Sequence, residues 1–274
     1  MTHPQPSSRA PMRRGQTLRT LLAGWRAELA AASEYRVDLV IGTMVTTLWL
    51  GISVAPVLVV AAHTDEANGW TLPRLLFLQA VWYLLDAVVW VILVMNVGWW
   101  EEAVQLGTLD AQLLKPVNSL VLCSLGRIYL PDLPKILLAL GLGAVAVWLG
   151  GGPVGWAESA AAALAIASAL VLMWAVGVLA NYKTLTHVRF DGWAAIFAAQ
   201  NLARVPVPFY GPVLRVVLTA VIPIAFLSTV PAQLFYGDIA LWFGLVAVAL
   251  AAAAIRLTSY LWTRELSRYT GAMG

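Results

Sequence analysis

The chain has 274 residues, of which 61% are hydrophobic and 11% charged, against about 25% charged in an ordinary soluble domain. So few charges cannot cover the surface of a soluble protein of this length, and they cluster so that long stretches hold none; this excludes a water-soluble enzyme and predicts a chain embedded in lipid. The formal net charge is only +3, and the single cysteine, Cys123, excludes an intrachain disulfide and a cysteine-based metal site.

Residues 1–15 are rich in Pro, Ser and Arg and predict a disordered cytosolic tail. They do not form a signal peptide, because the first long apolar run begins only near Leu39 and outlasts an h-region. Residues 16–36 predict an amphipathic interfacial helix. Leu18, Leu21, Leu22, Trp25, Leu29 and Ala32 recur at helical spacing, with Arg19, Arg26 and Glu28 off that stripe. Such a helix, just before a spanning segment, lies in the headgroup layer with its Leu/Trp face down.

Residues 37–274 predict one transmembrane domain, all-α, with six spans at Leu39–Ala62, Leu72–Val97, Leu133–Gly150, Trp156–Tyr182, Pro212–Val230 and Ile239–Trp262. Each is long enough, or nearly so, for about 30 Å of hydrocarbon at 1.5 Å per residue. Unbroken apolar runs favour a helical bundle over a barrel, whose strands alternate every second residue. The third span is the hardest to bound. Its helix starts as early as Ser119 if Arg127, Asp132 and Lys135 sit near the cytosolic interface.

Orientation follows from Lys and Arg. Six arginines from Arg9 to Arg36 precede the first span. Lys115, Arg127 and Lys135 follow the second, Lys183, Arg189 and Arg204 the fourth, and Arg264 and Arg268 the sixth. The opposite loops carry Asp65, Glu66, Glu158 and Asp238, with Arg74 the one nearby cation. Both termini are therefore expected in the cytosol. Trp70, Trp148 and Trp156 fit an aromatic belt on one side, and Trp99, Trp100, Tyr182, Tyr260 and Trp262 one on the other. Small residues at Gly141, Gly143, Ala160–Ala163 and Ala251–Ala254 permit close helix packing.

The chain holds no Gly-x-x-x-x-Gly-Lys-Ser/Thr phosphate loop, no His-Glu-x-x-His and no Gly-x-Ser-x-Gly. His3, His63 and His187 lie far apart. Asp86 is the one carboxylate expected deep in the bilayer, where its cost of about 2.5–3.5 kcal/mol requires protonation, pairing or a cavity. It is either a pathway or subunit-interface residue, or an interhelical hydrogen-bond partner. Asn96 and Asn181 are expected to be solvated near the ends of their spans. The loop from Lys183 to Arg204 predicts a second interfacial helix, with Trp193, Ile196, Phe197 and Leu202 apolar and Arg189, Gln200 and Arg204 polar.

The connection after the second span is the most informative segment. Glu101, Gln105, Thr108, Gln112 and Lys115 fall on one helical stripe, with apolar residues around the rest and Gly107 and Pro116 as possible bends. Such a helix needs a partner, either lipid headgroups or a groove on another protein.

The string Gly107-Thr108-Leu109-Asp110-x-x-Leu113-Leu114-Lys115-Pro116-Val117 resembles the Gly-x-Leu-Asp-x-x-Leu-Leu-x-Pro-Val signature of bacterial type 2 ABC-exporter permeases, the group of the daunorubicin-resistance permeases. Val205-Pro206-Val207-Pro208-Phe209-Tyr210-Gly211-Pro212, Ile222-Pro223-Ile224-Ala225-Phe226 and Val230-Pro231-Ala232 resemble a second family block, although Val205 stands where Tyr is usual. The ending Arg268-Tyr269-Thr270-Gly271-Ala272 is similar to the family's Arg-Tyr-x-Ser-Ala.

The resemblance, from about Thr17 onward, implies a non-catalytic permease that pairs with a second, identical or different permease in the bacterial inner membrane. Separate ATPase subunits would bind ATP and Mg, so no cofactor is expected in this chain and no nucleic acid among its partners. Glu101, Glu102, Gly107, Leu109, Asp110, Leu113, Leu114, Lys115 and Pro116 would form the coupling helix that docks on the ATPase. Pro223 to Tyr236, with Phe226 and Pro231, would form re-entrant turns at the extracellular mouth, with Asp86 on the pathway. The rival is a secondary transporter or membrane scaffold without an ATPase. It predicts an internal repeat or several intramembrane charges, and neither is evident in the sequence.

Overall fold

The computed structural model describes residues 14–32, 36–150, 152–153, 155–187 and 192–269. Most of the expected tail, Arg189 and the Thr270-Gly271-Ala272 ending lie outside the described residues. Helix α1 (Arg14–Ala32) precedes α2 (Arg36–His63), which continues through Pro56. A two-residue hairpin, Glu66–Ala67 against Trp70–Thr71, then turns on Asn68 (φ 50) and Gly69 (φ 84), the pair of left-handed positions that an Asn-Gly turn supplies.

Helix α3 (Leu72–Ala87) runs on through a π turn (Val88–Leu93) and a last α turn (Val94–Val97). Next come α4 (Trp100–Gln105), α5 (Thr108–Leu113), α6 (Ser119–Leu125), α7 (Pro134–Gly150), α8 (Trp156–Asn181), α9 (Trp193–Ala203), α10 (Pro212–Val216), α11 (Thr229–Phe235) and α12 (Trp242–Leu266). The protein is an all-α polytopic membrane protein. Five stretches among the described residues are long and apolar enough to cross a bilayer: Arg36–His63, Leu72–Gln105, Leu130–Gly150, Trp156–Leu185 and Trp242–Leu266.

The expected fifth span is not one continuous helix. An apolar helix over Pro212–Val221 stops at Ile222, whose backbone is extended (φ −116, ψ 104), because the ring of Pro223 disfavours the helical region for the residue before it. Helix α11 resumes only at Thr229. Both α9 and α11 pack on α8 and α3. The rings of Trp90 and Phe197 lie 6.5 Å apart, while Phe235 stacks on Phe77 at 4.2 Å. Helix α9 therefore follows one half of the second span and α11 the other.

The third span is broken too. Helix α6 does begin at Ser119 but ends at Gly126, and α7 starts only at Pro134. Pro131 and Pro134 lack the N–H groups a continuous helix needs, and in an apolar surrounding every freed backbone group must find a partner. Side chains and backbone from elsewhere supply them. Asn96 bonds both the N–H and the carbonyl of Arg127, Glu28 accepts from Ile128 N–H at 2.6 Å, and the Val91 carbonyl accepts from Tyr129 N–H at 2.8 Å. The Trp25 indole donates to the Leu125 carbonyl at 2.9 Å.

Several expectations are corrected here. Asn96 and Asn181 are buried rather than solvated, and Asn181 accepts from Gly192 N–H at 3.0 Å. Trp70, Trp100 and Trp262 are core residues, not belt residues, whereas Trp148, Trp156 and Tyr260 are exposed. Helix α1 seats Leu21 against Val117 and Leu122, so protein as well as lipid covers its apolar face. Helix α9, expected at the interface, has Ile196, Ala199, Gln200 and Ala203 buried.

Candidate functional site

Two sites emerge. The first is the segment after the second span. The single polar stripe expected there does not form, because the helix breaks at Gly107 (φ 69) into α4 and α5, a left-handed position that glycine adopts without penalty. The break divides the work between residues. Trp100, Ala103 and Leu109 are fully buried, and the Trp100 indole donates to the Cys123 carbonyl at 3.0 Å with its ring 5.0 Å from that of Trp262. Trp262 in turn donates to Ser119 Oγ at 3.1 Å.

This seat leaves Glu101, Glu102, Gln105, Thr108, Lys115 and Pro116 exposed, together with two bare leucines, Leu106 at 67% and Leu114 at 85% exposure. Asp110 and Leu113 are half-buried at the margin. Burial and the nearby Asp110 carboxylate push the Tyr269 phenol up to about 12. The sequence-predicted residues thus separate into a buried anchor, Leu109, a hinge, Gly107, and an outward face that includes Glu101, Glu102, Leu114, Lys115 and Pro116.

The second site is a polar cluster halfway along the second span. Asp86 lies about 21 Å along α3 from Leu72, and Lys135 about 22 Å along α7 from Gly150, at 1.5 Å per residue. Gly150 is held against Pro73, where an added Cβ would come within 2.7 Å, so Asp86 and Lys135 meet at matching depth. Lys135 Nζ is 2.8 Å from Asp86 Oδ2 and 3.5 Å from Asp132 Oδ1. Asp86 Oδ1 accepts from Gln200 Nε2 at 3.0 Å and from Trp90 Nε1 at 3.1 Å, and Lys135 sits 5.0 Å from the Trp90 ring centroid.

Asp132 and Lys135 lie near the start of the Leu130–Gly150 stretch, and the break before α7 sets Lys135 against Asp86 of α3. Arg204 lies 5.2 Å from the Trp82 ring and 3.4 Å from the Ile52 carbonyl, so it does not mark an interfacial loop. Three charged residues, Asp86, Asp132 and Lys135, therefore come together, which one-dimensional spacing did not reveal. The signal was present in Lys135, a lone cation following Pro134 at the head of a charge-free run, and in Gln200, one of two amides in an otherwise apolar α9.

Phe226 and Pro231 are buried, with the Phe226 ring 6.4 Å from that of Phe243 and the Ser228 hydroxyl bonded to the Ala203 carbonyl. Pro223 starts the short turn that carries Phe226. These residues join α9, α11 and the first turn of α12, some distance along the chain from the Asp86 cluster. At the far end, Arg74 bonds Asp238 at 2.9 Å and helps line a cavity of about 310 Å³ with Glu66 and Tyr236. Among the described residues no group of His, Cys, Asp and Glu could hold a metal ion.

Apolar helices broken around a matched polar cluster, with a firmly seated surface segment at one end, define a polytopic membrane permease. The chain belongs to the ABC-2 transporter family: the family model described as "ABC-2 family transporter protein" matches residues 47–273. It is a membrane permease component of an ABC transporter. No curated protein and no solved structure matches the chain.

Proposed function

We propose that the chain is the permease subunit of an ABC exporter. It works as a dimer with an identical or a different permease in the bacterial inner membrane and is driven by separate ATPase subunits that bind ATP and Mg. The end of the bundle bearing Arg26, Lys115, Lys183 and Arg264 is cytosolic, in keeping with the positive-inside rule, and both termini lie there. Helices α9 and α11 act in tandem as a sixth crossing, and Pro223, Phe226 and Pro231 serve the extracellular mouth.

The observation that carries this reading is the outward face of α4 and α5. Leu106 and Leu114 stand bare beside Glu101, Glu102 and Lys115, on a base fixed by Trp100 and Leu109. Apolar residues rimmed by charge, presented from a rigid base, are what a protein partner's groove takes up. ATP-driven motion of that partner then passes through Trp100 to α6 and Trp262 to α12.

The test is co-purification of the cognate ATPase, with its substrate-stimulated hydrolysis, for Glu101→Lys/Glu102→Lys and for Leu114→Asp. Both should uncouple transport while membrane insertion persists, and wild-type values for both would remove the coupling role. The Asp86 cluster gives a secondary transporter its one supporting observation, since charges beside broken helices are the usual mark of an ion site. That reading requires transport without any ATPase, which the same preparation measures.

A further inference from the structure

The cytosolic end holds a second concave site that the coupling segment does not use. The 3-10 turn that follows α8 and the end of α12 flank a cavity of about 250 Å³ lined by Tyr182, Lys183, His187, Leu261, Arg264, Glu265 and Arg268. Lys183, Arg264 and Arg268 are exposed, and none forms an ion pair among the described residues. The one acid lining the cavity, Glu265, is buried and bonded to the Thr186 hydroxyl. Three cations thus face one occupied carboxylate in a pocket fed by two helices.

We infer that this pocket binds the phosphate of an anionic phospholipid. The assignment rests on the cytosolic orientation proposed above. Two features favour a lipid over a soluble anion. Along α12, Leu257, Leu261 and Arg264 recur at helical spacing and share a stripe, and Arg268 follows in the turn just past the helix end. Leu257 is exposed and Tyr260 beside it is 61% exposed, so the stripe passes from an acyl-chain surface to a basic one. Tyr182 supplies an interfacial aromatic at the level where headgroups lie. Basic pockets between transmembrane helices on the cytoplasmic side suit anionic headgroups, because each cation there adds attraction to a surface already enriched in them.

The site lies one residue before Tyr269, which packs beside Asp110 of the coupling segment. An occupied pocket therefore holds the end of α12 against the coupling segment.

The experiment uses the purified full chain, delipidated in detergent and titrated with phosphatidylglycerol, with bound lipid read by native mass spectrometry. Phosphatidylethanolamine, which carries a phosphate but no net charge, is the comparison lipid. Arg264→Gln/Arg268→Gln should weaken phosphatidylglycerol binding by about five-fold per charge, about 25-fold for the pair. Arg264→Lys/Arg268→Lys should stay near wild type. Arg19→Gln/Arg26→Gln on α1, which removes as much charge elsewhere at the same end, should change little. Lys183→Gln alone should give about a five-fold loss, and it provides a readout if the double variant does not fold. Equal loss in the α1 control, no loss in the pocket variants, or displacement of the lipid by millimolar inorganic phosphate would each overturn the assignment. Failure of ATPase co-purification in the coupling variants leaves this measurement untouched, so the two readings fail separately.

Discussion

Asn96 grips the backbone of Arg127 from both sides: its Nδ2 donates to the Arg127 carbonyl at 2.9 Å and its Oδ1 accepts from the Arg127 N–H at 3.0 Å. One amide side chain thus replaces two hydrogen bonds that the broken third span has lost. Asn96→Leu strands both groups at a cost of about 1–3 kcal/mol each. Thermal unfolding in detergent should show a loss well above that of Asn96→Gln, which keeps the amide.

In the hydrogen-bonded Asp86–Lys135 pair Lys135 is buried and Asp86 largely so, and removing one partner is therefore worse than removing both. Lys135→Met leaves Asp86 and Asp132 facing each other without a cation and should cost about 3–5 kcal/mol. Asp86→Asn/Lys135→Gln, which keeps hydrogen bonding to Gln200 and Trp90 but carries neither of those two charges, should recover most of it. A double variant as unstable as the single one would mean that the charges themselves are required, pointing to the pathway role for Asp86.

Leu109 and Leu114 lie in one short segment yet should behave oppositely. Leu109→Ala empties a fully buried position and should destabilise by about 2–5 kcal/mol. Leu114→Ala touches a side chain 85% exposed and should leave unfolding unchanged while weakening ATPase co-purification. Measuring both quantities on both variants separates the seat from the proposed docking face.

Tyr269 reports on the α4–α5 segment through its titration. Its folded value is raised from 10.0 to about 12 by burial and by Asp110. A raised folded value means the contribution is complete below 10.0 and is lost as pH climbs through about 12. The ultraviolet difference titration between wild type and Tyr269→Phe should therefore show a late-ionising tyrosine. Asp110→Asn should bring that transition to lower pH.

Much of the fold was legible because lipid imposes simple rules. Long apolar runs predicted five of the long helices, and the family strings from Gly107 to Val117 and from Ile222 to Ala232 pointed to the family that matches. What stayed hidden was the discontinuity of the third span. Hydropathy sums over a window and does not register that Pro131 and Pro134 interrupt hydrogen bonding, whereas the break at Ile222-Pro223 agrees with the interruption expected at Pro223. The window therefore missed that the third span breaks and that the break sets Lys135 against Asp86. Asn96 and Asn181 looked like interfacial residues because their polarity is visible in sequence, whereas the orphaned backbone groups they satisfy are visible only in three dimensions. The stripe from Glu101 to Lys115 failed for the same kind of reason, since Gly107 marks a possible bend without stating its angle.

Two hydrogen bonds, Trp25 indole to the Leu125 carbonyl and Ile128 N–H to the Glu28 carboxylate, bear on the order of assembly. Helix α1 leaves the ribosome before the third span exists, and the third span cannot complete its own backbone pairing once inside lipid. These contacts predict that α1 waits until residues 119–133 arrive before the membrane domain closes. Glu28→Leu should accordingly slow or derail maturation in cells more than it lowers the stability of protein that has already assembled, a difference that pulse-chase protease protection can time.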